Sequence, residues 1–326
     1  MNKLYFICRQ DGYYTFFLKH YVIPDNVVII PNWLPHPQGL VKKIIHKLFV
    51  RFLPLKTPIS NKQIGFGILR FLYPQFPFRQ LSKANAADSV LIFDIANPNT
   101  LRMLRNVLSQ EVFLYDHLQN PIKNCAPKLN NQRIIDTLKK QGILLSTFDR
   151  ADAEKYGISF REQFYCHIPK EERENRTDYD FFFCGLSKDR KKDILNLLAH
   201  LRDLGYSLKV IMPESESSKE YISNDEYIYM LKRCKCVIDI NQKMQVGLSR
   251  RPLEALFFHK KLITNNSEIL KYDFYRPNNI FCINHDSIDD FQSWFSSPLE
   301  DIPEDIVHKY TIDKRLQEFI ECDTRQ

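Results

Sequence analysis

The feature that most constrains the fold is a regular alternation of short apolar runs with segments long enough to form helices. Between the runs, apolar residues spaced three or four apart, such as Ile194, Leu197 and Leu201, predict helices. Ten runs have the length and composition of buried strands: residues 4–8, 27–30, 90–93, 112–115, 143–146, 181–184, 208–212, 236–240, 262–264 and 280–283. This alternation predicts an α/β fold with parallel sheets covered by helices.

The chain length and one polar segment predict two domains. A chain of 326 residues can build two hydrophobic cores. Residues 169–177 are polar and separate the first five runs from the last five, as expected for a linker. We therefore predict an N-terminal Rossmann-like domain over residues 1–168 and a C-terminal one over residues 178–326, ending in a terminal helix. Two such domains face each other across a cleft, and ligands bind beyond the carboxyl ends of the strands.

Composition excludes several classes of protein. No apolar run approaches the roughly 20 residues of a membrane span, and the N-terminus lacks the pattern of a secretion signal. The sequence therefore predicts a cytoplasmic protein. The 8 cysteines are scattered without a C-x-x-C pair, which argues against disulfides and structural zinc.

The charge is divided unevenly between the two halves. Residues 1–150 hold 20 Lys and Arg against 8 Asp and Glu, whereas residues 151–326 hold 26 against 31. A basic half could meet nucleic acid, an anionic membrane or a phosphorylated substrate. No nucleic-acid recognition motif is present, so we predict no nucleic-acid partner.

A turn after the run at residues 236–240 predicts an anion site. Gly247, Leu248, Ser249, Arg250 and Arg251 lead directly into a helix whose first turn holds a proline. Backbone N–H groups and two guanidinium groups would then converge on a phosphate or diphosphate.

Glu254 follows Arg250 by four positions, so its carboxylate lies on the same helix face and could accept from a ribose or sugar hydroxyl. The alternative is an ordinary strand-to-helix connection in which the arginines are solvated and Glu254 pairs with one of them.

A second basic turn follows the run at residues 181–184. Gly185 would let the backbone turn tightly or approach a ligand, and Lys188 or Arg190 could reach a diphosphate at the first turn. The alternative is a simple strand-to-helix corner with solvated cations.

Residues 40–53 have the pattern of a basic amphipathic helix. An interfacial helix of this kind would bind an anionic membrane surface. The alternative is a helix that packs its apolar stripe against the N-terminal sheet. The predicted membrane contacts are Lys42, Lys43, Lys47, Phe49, Arg51 and Phe52.

The order of motifs over residues 178–285 resembles the C-terminal half of GT-B glycosyltransferases. The resemblance depends on Phe-Phe-Cys-Gly-Leu-Ser-Lys at 182–188 and on Gln-x-Gly-Leu-Ser-x-Arg-x-x-Glu at 245–254. It is greatest to the enzymes that build bacterial lipopolysaccharide core, O-antigen or capsule. Residues 147–157 also look like a segment of these enzymes, whereas residues 1–140 match only in pattern.

The resemblance implies a nucleotide-sugar donor bound by the C-terminal half, as a substrate and without a cofactor. It implies transfer of the sugar to a lipid-linked glycan at the cytoplasmic face of the membrane, by a protein peripheral to it. Many relatives carry a second glutamate before the glycine turn, where this chain has Gln242 and Gln245. The donor-binding residues implied are Gly185, Lys188, Arg190, Gln245, Gly247, Leu248, Ser249, Arg250, Arg251 and Glu254.

Metal binding and the general base are predicted from where acidic residues and histidine lie relative to the predicted strands. Asp178 and Asp180 resemble a D-x-D metal motif but precede their strand, so the cations are expected to neutralise the leaving group without metal. Asp11, Asp94 and His117 each lie just after a predicted strand and are candidates for the general base of an inverting enzyme. Each also has a structural alternative, as a helix cap, a turn former or a satisfied histidine. A retaining enzyme needs no such base.

Two other functions fit the same pattern. A polyol-phosphate transferase would use a nucleotide-activated glycerol or ribitol. A non-catalytic relative would bind glycan or membrane and have no affinity for nucleotides.

Overall fold

The computed structural model describes most of the chain and divides it into two compact units. The first unit comprises Met1–Tyr14, Val22–Arg161 and Leu316–Gln326, and the second comprises Thr15–Tyr21 and Glu162–Arg315. Within the predicted linker, Lys170–Glu172 forms a 3₁₀ turn. The described residues are 2–8, 12–31, 40–41, 44, 71, 78–81, 83–93, 101, 104–105, 108, 111–118, 122, 132–173, 176–215, 218–243 and 245–321.

The first unit contains a parallel sheet of six strands in the order β2-β1-β3-β4-β5-β6. The strands are β1 (Leu4–Cys8), β2 (Val27–Pro31), β3 (Ser89–Phe93), β4 (Phe113–Leu118), β5 (Ile143–Thr147) and β6 (Ser159–Phe160). The helices described in this part of the chain are α1 (Gly12–Lys19), whose residues from Thr15 onward belong to the second unit, α2 (Phe78–Leu81), α3 (Gln132–Lys140) and α4 (Arg150–Tyr156). Strands β1 and β3 are buried along their whole length, as parallel strands covered on both faces must be.

The second unit contains a parallel sheet of five strands in the order β11-β10-β9-β7-β8. The strands are β7 (Tyr179–Cys184), β8 (Leu208–Ile211), β9 (Cys234–Asp239), β10 (Lys261–Thr264) and β11 (Ile280–Cys282). The helices are α5 (Lys191–Asp203), α6 (Asn224–Lys232), α7 (Arg251–Phe257), α8 (Phe291–Ser296), α9 (Glu304–Lys309) and α10 (Ile312–Glu321), whose last residues belong to the first unit.

An aromatic cluster forms much of the core of the second unit. The ring of Phe181 stacks on Phe295 with centroids 4.7 Å apart, and Tyr206 packs edge-on against Phe181 at 5.3 Å. Phe181 and Phe183 alternate with Phe182 along β7, so the aromatic run contributes to both faces of the sheet. This packing fixes the position of β7, whose carboxyl end carries Gly185.

The predicted arrangement of strands is confirmed. All ten apolar runs form strands, and the fold is a mixed α/β fold with two parallel sheets. The largest difference is at β4, which runs to Leu118 rather than ending at residue 115. Strand β6 was not predicted, because two residues are too few to give a periodic pattern. In the described part of the chain, we find no helix that is both long enough and apolar enough to span a bilayer.

Both sheets share one doubly wound topology. Numbered from its first strand, each has the order 2-1-3-4-5, with a sixth short strand added in the first unit. From β7 the chain passes to β8 on one side and then to β9 on the other side. The connections therefore diverge above the carboxyl ends of β7 and β9, and such a switch point is where open parallel sheets bind ligands.

Candidate functional site: an anion site at the switch point of the second sheet

Three neighbouring strands of the second unit end at the same level. The register pairs Thr264 with Asp239, and it pairs Phe182 of β7 with Val237 of β9. Cys184, Asp239 and Thr264 therefore lie at the carboxyl edge of the sheet. The two basic turns predicted from the sequence begin at this edge.

Asp239 is a fully buried carboxylate in this edge. Ser249 Oγ donates a hydrogen bond to Oδ1 over 2.7 Å, and Thr264 Oγ1 donates to Oδ2 over 3.2 Å. Arg251 Nη1 lies 3.4 Å from Oδ1. Because a buried charge is unfavourable unless it is paired and hydrogen-bonded, these three contacts explain how a carboxylate persists there.

Arg251 is the first residue of α7, and Pro252 follows it in the first turn as predicted. Its Nη2 donates to the Cys184 carbonyl over 2.5 Å. Burial has the largest single effect on the pKa of Arg251 and lowers it, but the charges of Asp239, Tyr227, Glu254 and Cys184 together outweigh burial, so this pKa is raised. Two of the five guanidinium N–H donors are thus used within the described residues. None of those residues accepts from the buried Nε.

Gly185 is required by the position of this guanidinium. A Cβ atom on Gly185 would lie 2.4 Å from Arg251 Nη2 and 3.5 Å from Arg190 Nη2. The first distance is a steric clash, whereas the second is an ordinary van der Waals contact. Close approach at Gly185 was predicted for a ligand, whereas in the structure an arginine approaches.

Arg190 is a second buried arginine at the switch point, with 6% of its surface exposed. Its guanidinium donates to the carbonyl oxygens of Ile240 and Leu186. Burial, and then the charge of Arg251, lower the pKa of Arg190 to about 10. The alternative of a solvated cation is therefore wrong for Arg190. The alternative of a solvated cation is correct for Lys188, which is exposed and has a left-handed backbone with φ 45°.

Both guanidinium groups lie near the aromatic ring of Phe183. The guanidinium carbons of Arg251 and Arg190 lie 5.4 Å and 6.0 Å from the ring centroid. Asp239 forms an ion pair with Arg251, and no carboxylate of the described residues lies within 4.0 Å of the Arg190 guanidinium. Of the two buried guanidinium groups, Arg251 thus forms an ion pair with Asp239, whereas Arg190 donates to backbone carbonyl oxygens.

Glu254 lies one turn along α7 and is buried, with 4% of its surface exposed. Tyr227 donates its hydroxyl hydrogen bond to Glu254 Oε2. Burial raises the pKa of Glu254, although the charge of Arg250 and the bond from Tyr227 act in the opposite direction. The alternative predicted that Glu254 pairs with an arginine. In the structure Glu254 instead accepts a hydrogen bond from Tyr227, and Arg250 affects its pKa through charge.

Side-chain amides hold the turn that precedes α7. Asn241 Nδ2 and Gln245 Nε2 both donate to the Gly247 carbonyl, over 3.3 Å and 3.2 Å. Asn266 Nδ2 donates to the Val246 carbonyl over 3.0 Å. Gly247 and Leu248 are buried, whereas Arg250 is exposed. Gln245, predicted to contact the donor, thus supports the shape of the turn.

No known family model matches this chain, and a search of curated proteins finds no match either. Function is therefore inferred from the geometry and charge of the switch point.

The candidate bases of the first unit have different outcomes. His117 was predicted to follow its strand, and this position is wrong, because β4 continues to Leu118. The imidazole is fully buried, its Nδ1 lies 3.0 Å from Ser146 Oγ, and its ring packs against Phe93 with centroids 5.5 Å apart. Asp11 and Asp94 lie outside the described residues.

Asp178 pairs with Arg176 and Arg233, and Asp180 accepts from Ser207, at the amino end of β7 as predicted. The predicted membrane contacts, Lys42, Lys43, Lys47, Phe49, Arg51 and Phe52, lie outside the described residues.

Sequence reasoning missed Asp239, Thr264 and Tyr227. The only local signal for Asp239 was a single acidic residue inside an apolar run. Such a residue at the carboxyl end of a predicted parallel strand is a useful indication of a site, because that is the edge where ligands bind.

Proposed function

We propose that this chain is a GT-B type glycosyltransferase that moves a sugar from a nucleotide-sugar donor to a lipid-linked glycan. The acceptor is a precursor of lipopolysaccharide, O-antigen or capsule at the cytoplasmic face of the membrane. The observation that carries the proposal is the pair of buried guanidinium groups, Arg190 and Arg251, with one carboxylate between the strand ends. Buried guanidinium groups that retain N–H donors at a switch point favour a polyanionic ligand.

The leaving group of such a reaction is a nucleoside diphosphate. As the glycosidic bond to the diphosphate breaks, negative charge develops on the departing phosphate oxygen. Positioned cations stabilise that charge without reorganisation. Arg251 and Arg190 each retain N–H donors, and the exposed Arg250 and Lys188 add charge at the surface of the same site. These four cations make a metal-independent reaction the simplest mechanism.

Glu254 is placed to receive the ribose. Its Oε2 is occupied by Tyr227, and none of the described residues donates to Oε1. A ribose hydroxyl can donate to this oxygen while the diphosphate lies one helical turn away at Arg250 and Arg251.

An apolar surface supports contact with a membrane. Leu40, Val41 and Ile44 are helical and 75%, 63% and 48% exposed. They belong to the stripe of the basic amphipathic stretch, and exposed apolar side chains beside cations suit an anionic lipid surface. This favours membrane contact over packing of these three residues against the sheet.

The proposal is tested by a thermal-shift panel of UDP-, GDP-, CMP- and dTDP-sugars with CDP-glycerol and CDP-ribitol. A ligand at 100 times its Kd should stabilise the fold by about 2.7 kcal/mol. Transfer of a radiolabelled sugar from the stabilising donor to a bacterial lipid extract would then establish the reaction. Stabilisation by the CDP-polyols alone would identify a polyol-phosphate transferase. An absence of stabilisation throughout the panel would leave only a non-catalytic protein.

Replacing Glu254 with glutamine should affect binding and stability in opposite directions. Affinity for the nucleotide should fall about tenfold, because a neutral amide is a weaker acceptor than a carboxylate. Stability should respond to pH, since burial raises the pKa of Glu254 above its ordinary value of 4.5. The wild type therefore loses stability as the pH rises through the folded-state pKa, whereas glutamine cannot ionise. The variant should gain stability relative to wild type between acidic and neutral pH.

Denaturant unfolding across that pH range and calorimetry with the stabilising nucleotide measure the two effects. Glu226→Gln is the matched control, because it makes the same change at the exposed capping box of α6. Equal nucleotide affinity in Glu254→Gln and wild type would show that Glu254 does not contact the ribose.

A further inference from the structure

We infer that Asp239 is the positioning residue of the anion site, acting through Arg251. This inference rests on the proposed function, since it assigns a role within the same donor site. Asp239 is fully buried, and among the described residues its carboxylate bonds to Ser249, Thr264 and Arg251. It therefore affects a bound anion by ordering the groups that bind it.

The contacts of Arg251 show what is ordered. Nη1 is held by the Asp239 carboxylate on β9, and Nη2 is held by the Cys184 carbonyl on β7. Two anchors on two adjacent strands fix the plane of the guanidinium, and the Phe183 ring lies beside it at 5.4 Å. The N–H groups that remain are thus presented in one orientation before the anion arrives, which removes the entropic cost of ordering a long side chain on binding.

The same carboxylate also orders the turn. Ser249 Oγ donates to Asp239 and accepts from the backbone N–H of Arg251 over 3.2 Å. Thr264 Oγ1 donates to the other carboxylate oxygen and accepts from the backbone N–H of Asn266. The ends of β9 and β10 and the start of α7 are therefore joined through one side chain.

An electrostatic role and a positioning role of Asp239 predict opposite changes in anion affinity when this residue is removed. A carboxylate beside an anion site repels the anion, so a purely electrostatic role predicts tighter binding when it is removed. A positioning role predicts weaker binding, because Arg251 and Ser249 lose their orientation. The sign of the change therefore distinguishes the two roles.

Inorganic pyrophosphate is the probe, and calorimetry on the full chain is the measurement. Asp239→Ala should bind pyrophosphate about tenfold more weakly than wild type. Asp239→Asn should stay within about threefold, because the amide oxygen can accept from Ser249 and Arg251. Asp180→Ala is the control, since it removes a carboxylate at the opposite end of β7, where Asp180 bonds to Ser207. It should leave the affinity unchanged.

A spectroscopic measurement covers the case in which Asp239→Ala is poorly folded. The Nε–H resonance of Arg251, assigned by its loss in Arg251→Lys, should exchange slowly with water in wild type and in Asp239→Asn. It should exchange faster in Asp239→Ala, at a temperature where that variant keeps its amide spectrum. Pyrophosphate binding by Asp239→Ala at wild-type affinity or tighter would overturn the positioning role while leaving the anion site in place. Absence of pyrophosphate binding in wild type would overturn both.

Discussion

Replacing Arg251 with alanine should lower the free energy of unfolding by about 3 kcal/mol and weaken pyrophosphate binding about 100-fold. Viewed from the sequence, Arg251 is a ligand whose loss leaves the fold intact. The structure changes that expectation, because Arg251 pairs with the buried Asp239 carboxylate. We take the low end of the usual range for a broken buried pair, since Ser249 and Thr264 still donate to the carboxylate. Denaturant unfolding and calorimetry measure the two losses.

A second substitution separates stability from binding. Asp239→Asn added to Arg251→Ala removes the uncompensated charge, so most of the lost unfolding free energy should return. Pyrophosphate binding should not return, because the guanidinium is still missing. If the double variant recovered both properties, Arg251 would contribute to folding only and the anion site would lie elsewhere.

Replacing Gly185 with alanine should produce the second large effect. The new Cβ would lie 2.4 Å from Arg251 Nη2, so the guanidinium must leave its bonds to Cys184 and Asp239. Overpacking of this kind costs about 1–3 kcal/mol of unfolding free energy. Binding of pyrophosphate should fall about tenfold with the loss of the ordered arginine, equivalent to about 1.4 kcal/mol. Thermal unfolding and calorimetry on the same sample give both values.

Gly205→Ala is the matched control for the backbone. Gly205 belongs to the same unit and has a left-handed φ of 84°, but a Cβ atom added there would meet nothing within 4 Å among the described residues. This substitution should cost stability through backbone strain of about 1 kcal/mol and leave pyrophosphate binding unchanged. Equal binding by Gly185→Ala and Gly205→Ala would show that the approach of Arg251 to Gly185 has no part in binding.

The sequence was sufficient wherever a local pattern determines local structure. A parallel strand that is buried on both faces is apolar along its length and does not alternate between apolar and polar residues. Continuous apolar runs therefore predicted the strands. The start of α7 was predicted from Pro252, whose ring suits the first turn of a helix. The boundary of β4 was missed because Asp116 and His117, two polar residues, are buried inside the strand.

The roles of the site residues required the tertiary structure. Seen in sequence, Arg190 is one cation in a basic stretch, and only the packing of β7 beside β9 brings it under the carbonyl of Ile240 and away from solvent. The same holds for Tyr227, whose hydroxyl reaches Glu254 from a different helix, 27 residues away.

By itself the sequence determined the two parallel sheets, the positions of their strands and the two basic turns that begin at strand ends. Only the tertiary structure decided which charges are buried and which are paired. The physical reason is the separation along the chain of the residues that interact. Strand formation depends on neighbouring residues, whereas Arg251 contacts the Cys184 carbonyl 67 residues away and Asp239 contacts Thr264 25 residues away. Such contacts follow from the order of the strands in the sheet, and no local pattern specifies that order.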